Sequence, residues 1–485
     1  MSISTALSNA YSGLSAASRS AETVSQNVAN ALTEGYGRRE VQLSAASVGG
    51  QGSGVRVSAV VRQVDMALIS TRRQAQANAG ADDIFTSAYA GIDDAIGLPG
   101  NGDSLVDLVA GFESALISAA SRPDLGVRQQ NIVFAAKDLI SHINTVSSKA
   151  QELRQSSDAA IAQNVNVLNA TLAEVAQLNR DIRLEVAAGR DANGLKDQRQ
   201  VLVDGIADII PMKTQARDHG QVALISTGGA VLLDGSAAVF GFSPVGIITA
   251  DMSLASGALS GITMNGKPVP TGSVDGLLAG GTLMANFAVR DKLAPEANQV
   301  IDTFAQDLIA RFEDSGLDPS VATGSAGLFT DNGSALDVSN VTGLAGRLTL
   351  NAIVDPDNGG DLWRLRAGLG ATSEGEVGDT TLLTAFADKM SESRPDPSGF
   401  LGAREMSAAG FAAALASHIS ASHLAAARSQ TYSSTRLEQF KLAEFEGGVD
   451  TDQEMQRLLL VEKAFAANAR VISTADDMLA TLLEI

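Results

Sequence analysis

The sequence predicts a mainly α-helical fold with β insertions: terminal helices forming a coiled coil, a central long-helix bundle, and one or two small β-rich insertions. Three observations carry this reading. All eleven prolines fall between Pro99 and Pro397. Apolar residues at both ends recur in alternating steps of three and four. Two interior stretches, 212–280 and 323–375, lose that spacing and gain Gly, Asn and Asp.

Proline in a helix interior costs about 3 kcal/mol, so proline-free stretches are helix candidates. The first 98 residues, the span between Pro123 and Pro211 and the last 88 residues all qualify. At the N-terminal end Ile3, Leu7, Ala10, Leu14, Ala17, Ala21, Val24 and Val28 make an a/d heptad stripe. The C-terminal end mirrors it with Leu458, Val461, Phe465, Asn468, Ile472, Ala475, Leu479 and Leu482. Thr451-Asp452-Gln453-Glu454 fits a capping box at the start of that helix. Two helices that flank everything else can pair with each other. An antiparallel pair is expected, with Leu14 and Val24 facing Phe465 and Ile472. Asn468 is the one polar seam residue in the C-terminal stripe, a position at which a polar side chain fixes register at a cost in stability.

The middle span carries two seams. One runs from Ile132 through Ala136, Leu139, Ile143, Val146 and Ala150 to Leu153, and the other from Ile161 through Val165, Leu168, Leu172 and Val175 to Val186. The phase slips between Leu153 and Ile161, which predicts a stutter or a break. A helix from Leu195 to Ile210, stopped by Pro211, is expected next. Gln221–Ser226 and Ala230–Leu233, separated by Thr227-Gly228-Gly229, read as a β-hairpin. Helix returns over 282–313 and again from about Thr380. The expected division is a terminal coiled-coil domain of 1–45 plus 446–485 and a helical bundle of 46–211 plus 281–322 plus 376–445. A β-rich insertion at 212–280 and an outer one at 323–375 complete it.

Composition narrows the function classes. The formal charge is −20 and Lys/Arg form no cluster, so nucleic acid is not an expected partner. No stretch of about 18 apolar residues exists, so no membrane insertion is expected. Met1-Ser2-Ile3-Ser4-Thr5-Ala6 lacks the charged and apolar regions of a cleaved secretory signal. The chain has no cysteine, which removes thiolate metal sites and cysteine nucleophiles. Its four histidines, His142, His219, His418 and His423, sit in no ligand spacing, and no GxSxG or phosphate loop occurs. No catalytic residue, cofactor or metal is therefore assigned and a non-enzyme is expected, although the many carboxylates leave a glycosidase-type acid pair open.

Four segments carry a resemblance. Ser25–Arg38, with Asn27, Ala29 and Asn30 ahead of Gly35 and Tyr36, is similar to the helix exit and Gly-Tyr turn of the bacterial flagellar axial family of rod, hook and hook-associated proteins. Leu32, Glu34 and Gly37 depart from that family's commonest residues. Gly54-Val55-Arg56-Val57, followed by Arg62 and Asp65, looks like the strand after the turn. Gly194–Arg199, leading to Asp204, and Ala467–Leu479 resemble stretches of its hook-associated members, with Gly280–Leu283 and Arg290–Leu293 as further points of likeness.

The resemblance implies a ring-forming structural subunit at the junction between hook and filament, permitting filament assembly. Its implied partners are other copies of itself, the hook protein, the next junction protein, the flagellar type III export apparatus, and a cytoplasmic chaperone on the C-terminal helix. The implied location is extracellular, on the flagellum. Leu7, Leu14, Val24, Val28, Leu458, Val461, Phe465, Asn468, Ile472, Leu479 and Leu482 are then the expected assembly interface. Small seams bury little, and isolated helices are marginal in water, so both ends are expected to order on assembly. Alternatives are a hook or distal rod protein, or a secreted flagellum-associated peptidoglycan hydrolase.

Overall fold

A computed structural model describes residues 3–483 except 49, 50, 273, 274, 401 and 403. The outermost residues of the expected terminal domain, 1–2 and 484–485, lie outside the described residues. The N-terminal stripe forms helix α1 (Ile3–Ala29). The chain then turns through Asn30–Gly37 into an antiparallel hairpin, β1 (Arg38–Val48) and β2 (Gln51–Gln63). The hairpin folds back along α1. Val55 N donates to Ser12 Oγ at 3.1 Å. Gly54, at φ +99°, passes so close that a Cβ there would collide with Ser12. The expected boundary at residues 45/46 therefore cuts through β1, because the hairpin packs on the N-terminal helix.

The C-terminal stripe forms α12 (Thr451–Leu483), which runs antiparallel along α1. Two contacts set the register: Asn27 donates to Glu454 at 3.1 Å, and the Asn468 amide lies over Gly13, where an added Cβ would come within 2.6 Å of Oδ1. This register puts Leu14 level with Ala467 and Val24 level with Arg457. Leu14 thus meets the Phe465–Asn468 turn. Val24, in contrast, lies about 12 Å along the axis from Phe465 at ~1.5 Å rise per residue, so the expected facing of Val24 with Phe465 or Ile472 does not form. The cap also differs: Asp450 Oδ1 accepts from Asp452 N and Gln453 N at 2.9 and 3.1 Å, and Glu454 is withdrawn to another task.

The body between these ends starts with α2 (Met66–Ile96), capped by Asp65, and α3 (Leu105–Ser121), capped by Ser104. Next comes α4 (Gly126–Ala187), 62 residues and about 93 Å long. No break occurs at the phase slip. There the seam becomes polar: Arg154, Ser157 and Asp158 are buried, and Asp158 Oδ1 accepts from the fully buried Arg290 at 2.7 Å. Arg290 lies in a π turn (Val289–Leu293) between α6 (Gly281–Ala288) and α7 (Ala294–Phe312). The slip marks the place where α4 passes from one apolar core to another.

The first core joins α3, the first half of α4, α7, α10 (Thr381–Ser391) and the start of α11 (Ala408–Glu446). The second joins the later part of α4, the end of α5 (Asn193–Gly205), the 212–280 segment and α6. That segment holds two antiparallel sheets. One has the order β3 (Met212–Ala216), β4 (Val222–Ser226), β5 (Val231–Asp234) and β6 (Ser236–Ala237). The other has β7 (Phe240–Gly241), β8 (Ile262–Met264) and β9 (Lys267–Val269).

Segment 323–375 is not an outer β-rich insertion. It carries two short strands, β10 (Phe329–Asp331) and β11 (Leu348–Leu350), with helical turns α8 (Leu344–Arg347) and α9 (Arg364–Ala367). Its Leu328, Phe329, Leu344, Val354, Leu365 and Leu369 enter the first core. Its Gly/Asn/Asp-rich turns concealed widely spaced apolar anchors. A final two-stranded ribbon, β12 (Arg394–Pro395) and β13 (Glu405–Met406), precedes α11, which lies along α2.

Candidate assembly site

The turn after α1 is organised by one amide. Asn27 is 1% exposed, and all four of its hydrogen-bonding positions are filled. Its Nδ2 donates to Arg39 O at 2.9 Å and to Glu454 Oε2 at 3.1 Å. Its Oδ1 accepts from Arg39 N and from the Tyr36 hydroxyl, both at 2.9 Å. Aspartate would lose both donors and set a second carboxylate against Glu454. Burial raises the Tyr36 pKa, with Arg39 opposing the rise and Asp197 and Glu454 adding to it. The Arg39 guanidinium stands 5.0 Å from the Tyr36 ring centroid, within cation–π range.

Glu454 is fully buried, and Arg38 Nε donates to its Oε1 at 2.8 Å. A buried carboxylate is costly unless a cation and hydrogen bonds compensate it. Asn27 and Arg38 supply both. The start of the C-terminal helix is thereby fixed to the exit of the N-terminal one. Of the motif's other members, Asn30 donates to Gln26 O at 2.9 Å, and Ala29 is exposed and outside this network. Gly35, at φ +74°, sits against Val201 of α5 with no room for a side chain.

Helix α5 reaches the same turn from the body. Asp197 Oδ1 accepts from Gly37 N at 3.1 Å and Arg62 Nε at 2.6 Å, and its Oδ2 accepts from Arg39 Nη2 at 3.2 Å. Arg62 also donates to Gln200 Oε1 and, at 3.1 Å, to Gly35 O. Asn193 Nδ2 donates to Val60 O at 2.8 Å. Behind this layer Asp204 pairs with Arg72 and Arg73 at 2.6 Å each, and Arg72 reaches Glu444 of α11 at 2.5 Å. Buried Arg199 is pushed down to about 10 by desolvation and by neighbouring Arg62 and Arg73. Three motifs far apart in sequence, the turn, the strand after it and the α5 segment, thus form one polar joint.

The seam residues are divided by this geometry. Val24 is buried; Leu7, Leu14, Val28, Leu458, Val461, Asn468 and Ile472 are half-buried; Phe465, Leu479 and Leu482 are exposed. Asn468 Nδ2 donates to Ala464 O of its own helix at 2.9 Å. Glu454 and Ala475 are the buried residues of α12 among those described. Leu460, Val471 and Met478 make a second apolar stripe, also exposed. A groove of about 500 Å³ runs beside the pair, lined by Ala17, Ala21, Leu458, Val461 and Phe465.

Sequence reasoning missed Glu454, Arg38, Arg39, Arg62 and Asp197 as contacting residues. The signal for Glu454 was an acidic residue at a capping position, which local rules assign to the helix end. Only the fold reveals that Arg38 takes it. Among the described residues no group of His, Cys, Asp and Glu is arranged to hold a metal ion, and no helix is long and apolar enough to cross a membrane.

Comparison with known proteins gives a consistent set of matches. The profile of the flagellar hook-associated protein FlgK helical domain matches residues 91–326, and that of the flagellar basal body rod FlgEFG protein C-terminal matches 447–485. The flagellar hook-associated protein 1 of Salmonella typhimurium is 28% identical over 243 residues, covering 49% of this chain and 44% of that protein. The chain therefore aligns with less than half the length of that relative. The protein of the same name from Bacillus subtilis is 21% identical over 98% of this chain and 96% of its own length. The solved structure of the flagellar hook junction protein FlgK from Burkholderia pseudomallei aligns with 54% of this chain and 46% of that chain, at 19% identity and a TM-score of 0.43. With the helical-domain profile on the body and the axial C-terminal profile on α12, the matches make this chain similar to flagellar hook-associated protein 1.

Proposed function

We propose that this chain is a structural, non-enzymatic subunit of the flagellum that forms the junction ring between hook and filament and permits filament assembly. Its polymerising element is the α1–hairpin–α12 rod. The observation that carries this reading is the surface of α12. A 33-residue helix packs along one side on α1 and presents Leu460, Phe465, Val471, Met478, Leu479 and Leu482 outward. Each such side chain contributes roughly 1.5–3 kcal/mol once fully covered, and only neighbouring subunits would cover them. The groove beside Ala17 and Ala21 gives an approaching side chain a place to enter.

The name of the relatives, flagellar hook-associated protein 1, supports a place beside the hook; in this reading hook protein and the next junction protein are neighbours along the axis, with copies of this chain around it. Export through the flagellar type III apparatus, with a cytoplasmic chaperone covering α12 beforehand, fits an apolar helix that is vulnerable until assembled. Both rod helices order fully on assembly in this reading.

Complementation of a deletion strain tests it. Loss of the gene should leave hooks without filaments and flagellin monomer in the medium. Wild-type protein should restore filaments, and a chain truncated before Thr451 should not. Filaments restored by the truncated chain would overturn the proposal.

A further inference from the structure

We infer that Asp197 is a positioning residue: it sets the angle of the α1–hairpin–α12 rod on the body through a joint held by charge rather than by apolar packing. This rests on the reading of that rod as the assembly element. The chain crosses between rod and body twice, at Val64–Asp65 and at Gly447–Asp450, and neither crossing is helical. The orientation must therefore come from contacts in space.

Those contacts converge on α5. All three donors to the Asp197 carboxylate, Gly37 N, Arg39 and Arg62, belong to the rod. Gln200 and Asn193 add one hydrogen bond each, to Arg62 and Val60. Val201 of α5 meets the turn at Gly35, which has no side chain to pack. Beside the crossings lies a cavity of about 390 Å³, lined by turn residues, by Leu68, Ile69 and Arg72 of α2 and by Phe445 and Val449. Close-packed interiors transmit position, whereas a solvent-open cleft at a joint leaves room to tilt.

The charge pattern makes Asp197 decisive. Lys196 and Arg199 flank it on α5; burial lowers both pKa values, with Arg199 and then Arg62 adding to the fall at Lys196, and Arg62 and Arg73 at Arg199. With Asp197 ionised, two rod guanidiniums dock on an anion. With Asp197 neutralised, the same guanidiniums, 16% and 10% exposed, lose the anion that docks them on α5, while Arg62 keeps Lys196 and Arg199 as neighbouring cations. The attraction is lost. Glu454 has the complementary role: both of its close partners, Asn27 and Arg38, lie in the rod, so it closes the rod on itself.

The cysteine-free chain permits clean spin labelling for distance measurement on the full-length protein. One pair joins Ser15→Cys on α1 to Ala173→Cys on α4, reporting rod against body. A second joins Ser473→Cys on α12 to Ala173→Cys. A control pair, Ser156→Cys with Ala173→Cys, lies within α4. Asp197→Asn and Arg62→Gln should each broaden the first two distance distributions at least twofold and leave the control unchanged. Glu454→Gln should broaden only the Ser473 pair. An unchanged Ser15 distribution in both Asp197→Asn and Arg62→Gln overturns the inference. If Asp197→Asn fails to fold, Asp197→Glu keeps the charge on a longer arm, and a shifted mean distance with a narrow distribution is expected; no shift overturns the inference. Assembly is scored separately. A broadened distance with normal filaments upholds the joint and counts against the rod as assembly element.

Discussion

The body and the rod are both helical, yet they are held together by different chemistry. In the body Phe112, Phe312, Phe329 and Phe386 form a chain of ring contacts with centroids 5.1–6.0 Å apart, and Phe304 meets Phe411 at 5.5 Å. These rings come from helices and strands far apart in sequence, and all are buried. The rod has one phenylalanine, Phe465, and it is 43% exposed. What the rod buries is Ala10, Ala16, Ala17, Val24, Ala475 and the polar group around Asn27 and Glu454. The same secondary structure thus serves an aromatic core in one place and a small-residue seam with exposed apolar side chains in the other.

The largest expected effect is in the body. Phe312→Ala should cost about 3–5 kcal/mol, since it empties the centre of the ring chain. Thermal unfolding measures this; a change under about 1 kcal/mol would mean the aromatic chain does not hold the body. In the rod, Glu454→Ala strands Arg38 without its anion and should cost about 3 kcal/mol locally. Hydrogen exchange should show this as faster exchange in α12 with α4 unchanged. Equal acceleration in both would dissolve the distinction between rod and body.

A pH test separates the two further. Burial pushes Asp302 up to about 6, although it accepts from Gly343 N, Ala345 N and Asn298 Nδ2. Its folded pKa lies above the ordinary 3.8, so the ionised form is the one folding disfavours. Stability is greatest with the carboxyl protonated and falls as pH rises from about 4 through 6, by at most about 3 kcal/mol. The stability difference between wild type and Asp302→Asn should therefore decline over that window. A flat difference would show that the backbone donors carry the charge unaided. Exchange rates of α1 and α12 should not follow this titration, because Asp302 lies in the body.

The smallest effect on the isolated protein is the most informative for assembly. Phe465→Ala should change stability by less than about 1 kcal/mol, as expected for an exposed side chain. The same variant should abolish motility in a complemented deletion strain. Asn468→Leu should leave the body folded, but its branched side chain over Gly13 should shift the α1–α12 register and give aggregates or misassembled polymers. Normal motility with Phe465→Ala would remove α12 as an assembly element, and normal motility with Asn468→Leu would remove the register role.

Much of the architecture was legible without the fold, and the failures have physical causes. The heptad stripes located α1 and α12 because helix periodicity is local. The slip between Leu153 and Ile161 was visible, but not that Arg154 and Asp158 fill it against Arg290. Segment 323–375 read as outer because its apolar residues follow no short period, yet tertiary packing draws them inward. The hairpin of residues 38–63 was assigned partly to the body because nothing local says which neighbour a strand face meets.

The sequence by itself determined where helices run, where the chain turns and which residues are apolar, because backbone preference and side-chain spacing act over a few residues. Gly35 and Asn30 marked the turn for that reason. Only the tertiary structure decided that Glu454 leaves its helix cap for Arg38, that Asp197 receives Arg39 and Arg62 across the joint, and that Phe465 stays outside. Those outcomes depend on which charges and surfaces meet across more than a hundred residues. Electrostatic attraction and packing act through space, and the order of residues along the chain does not encode them locally.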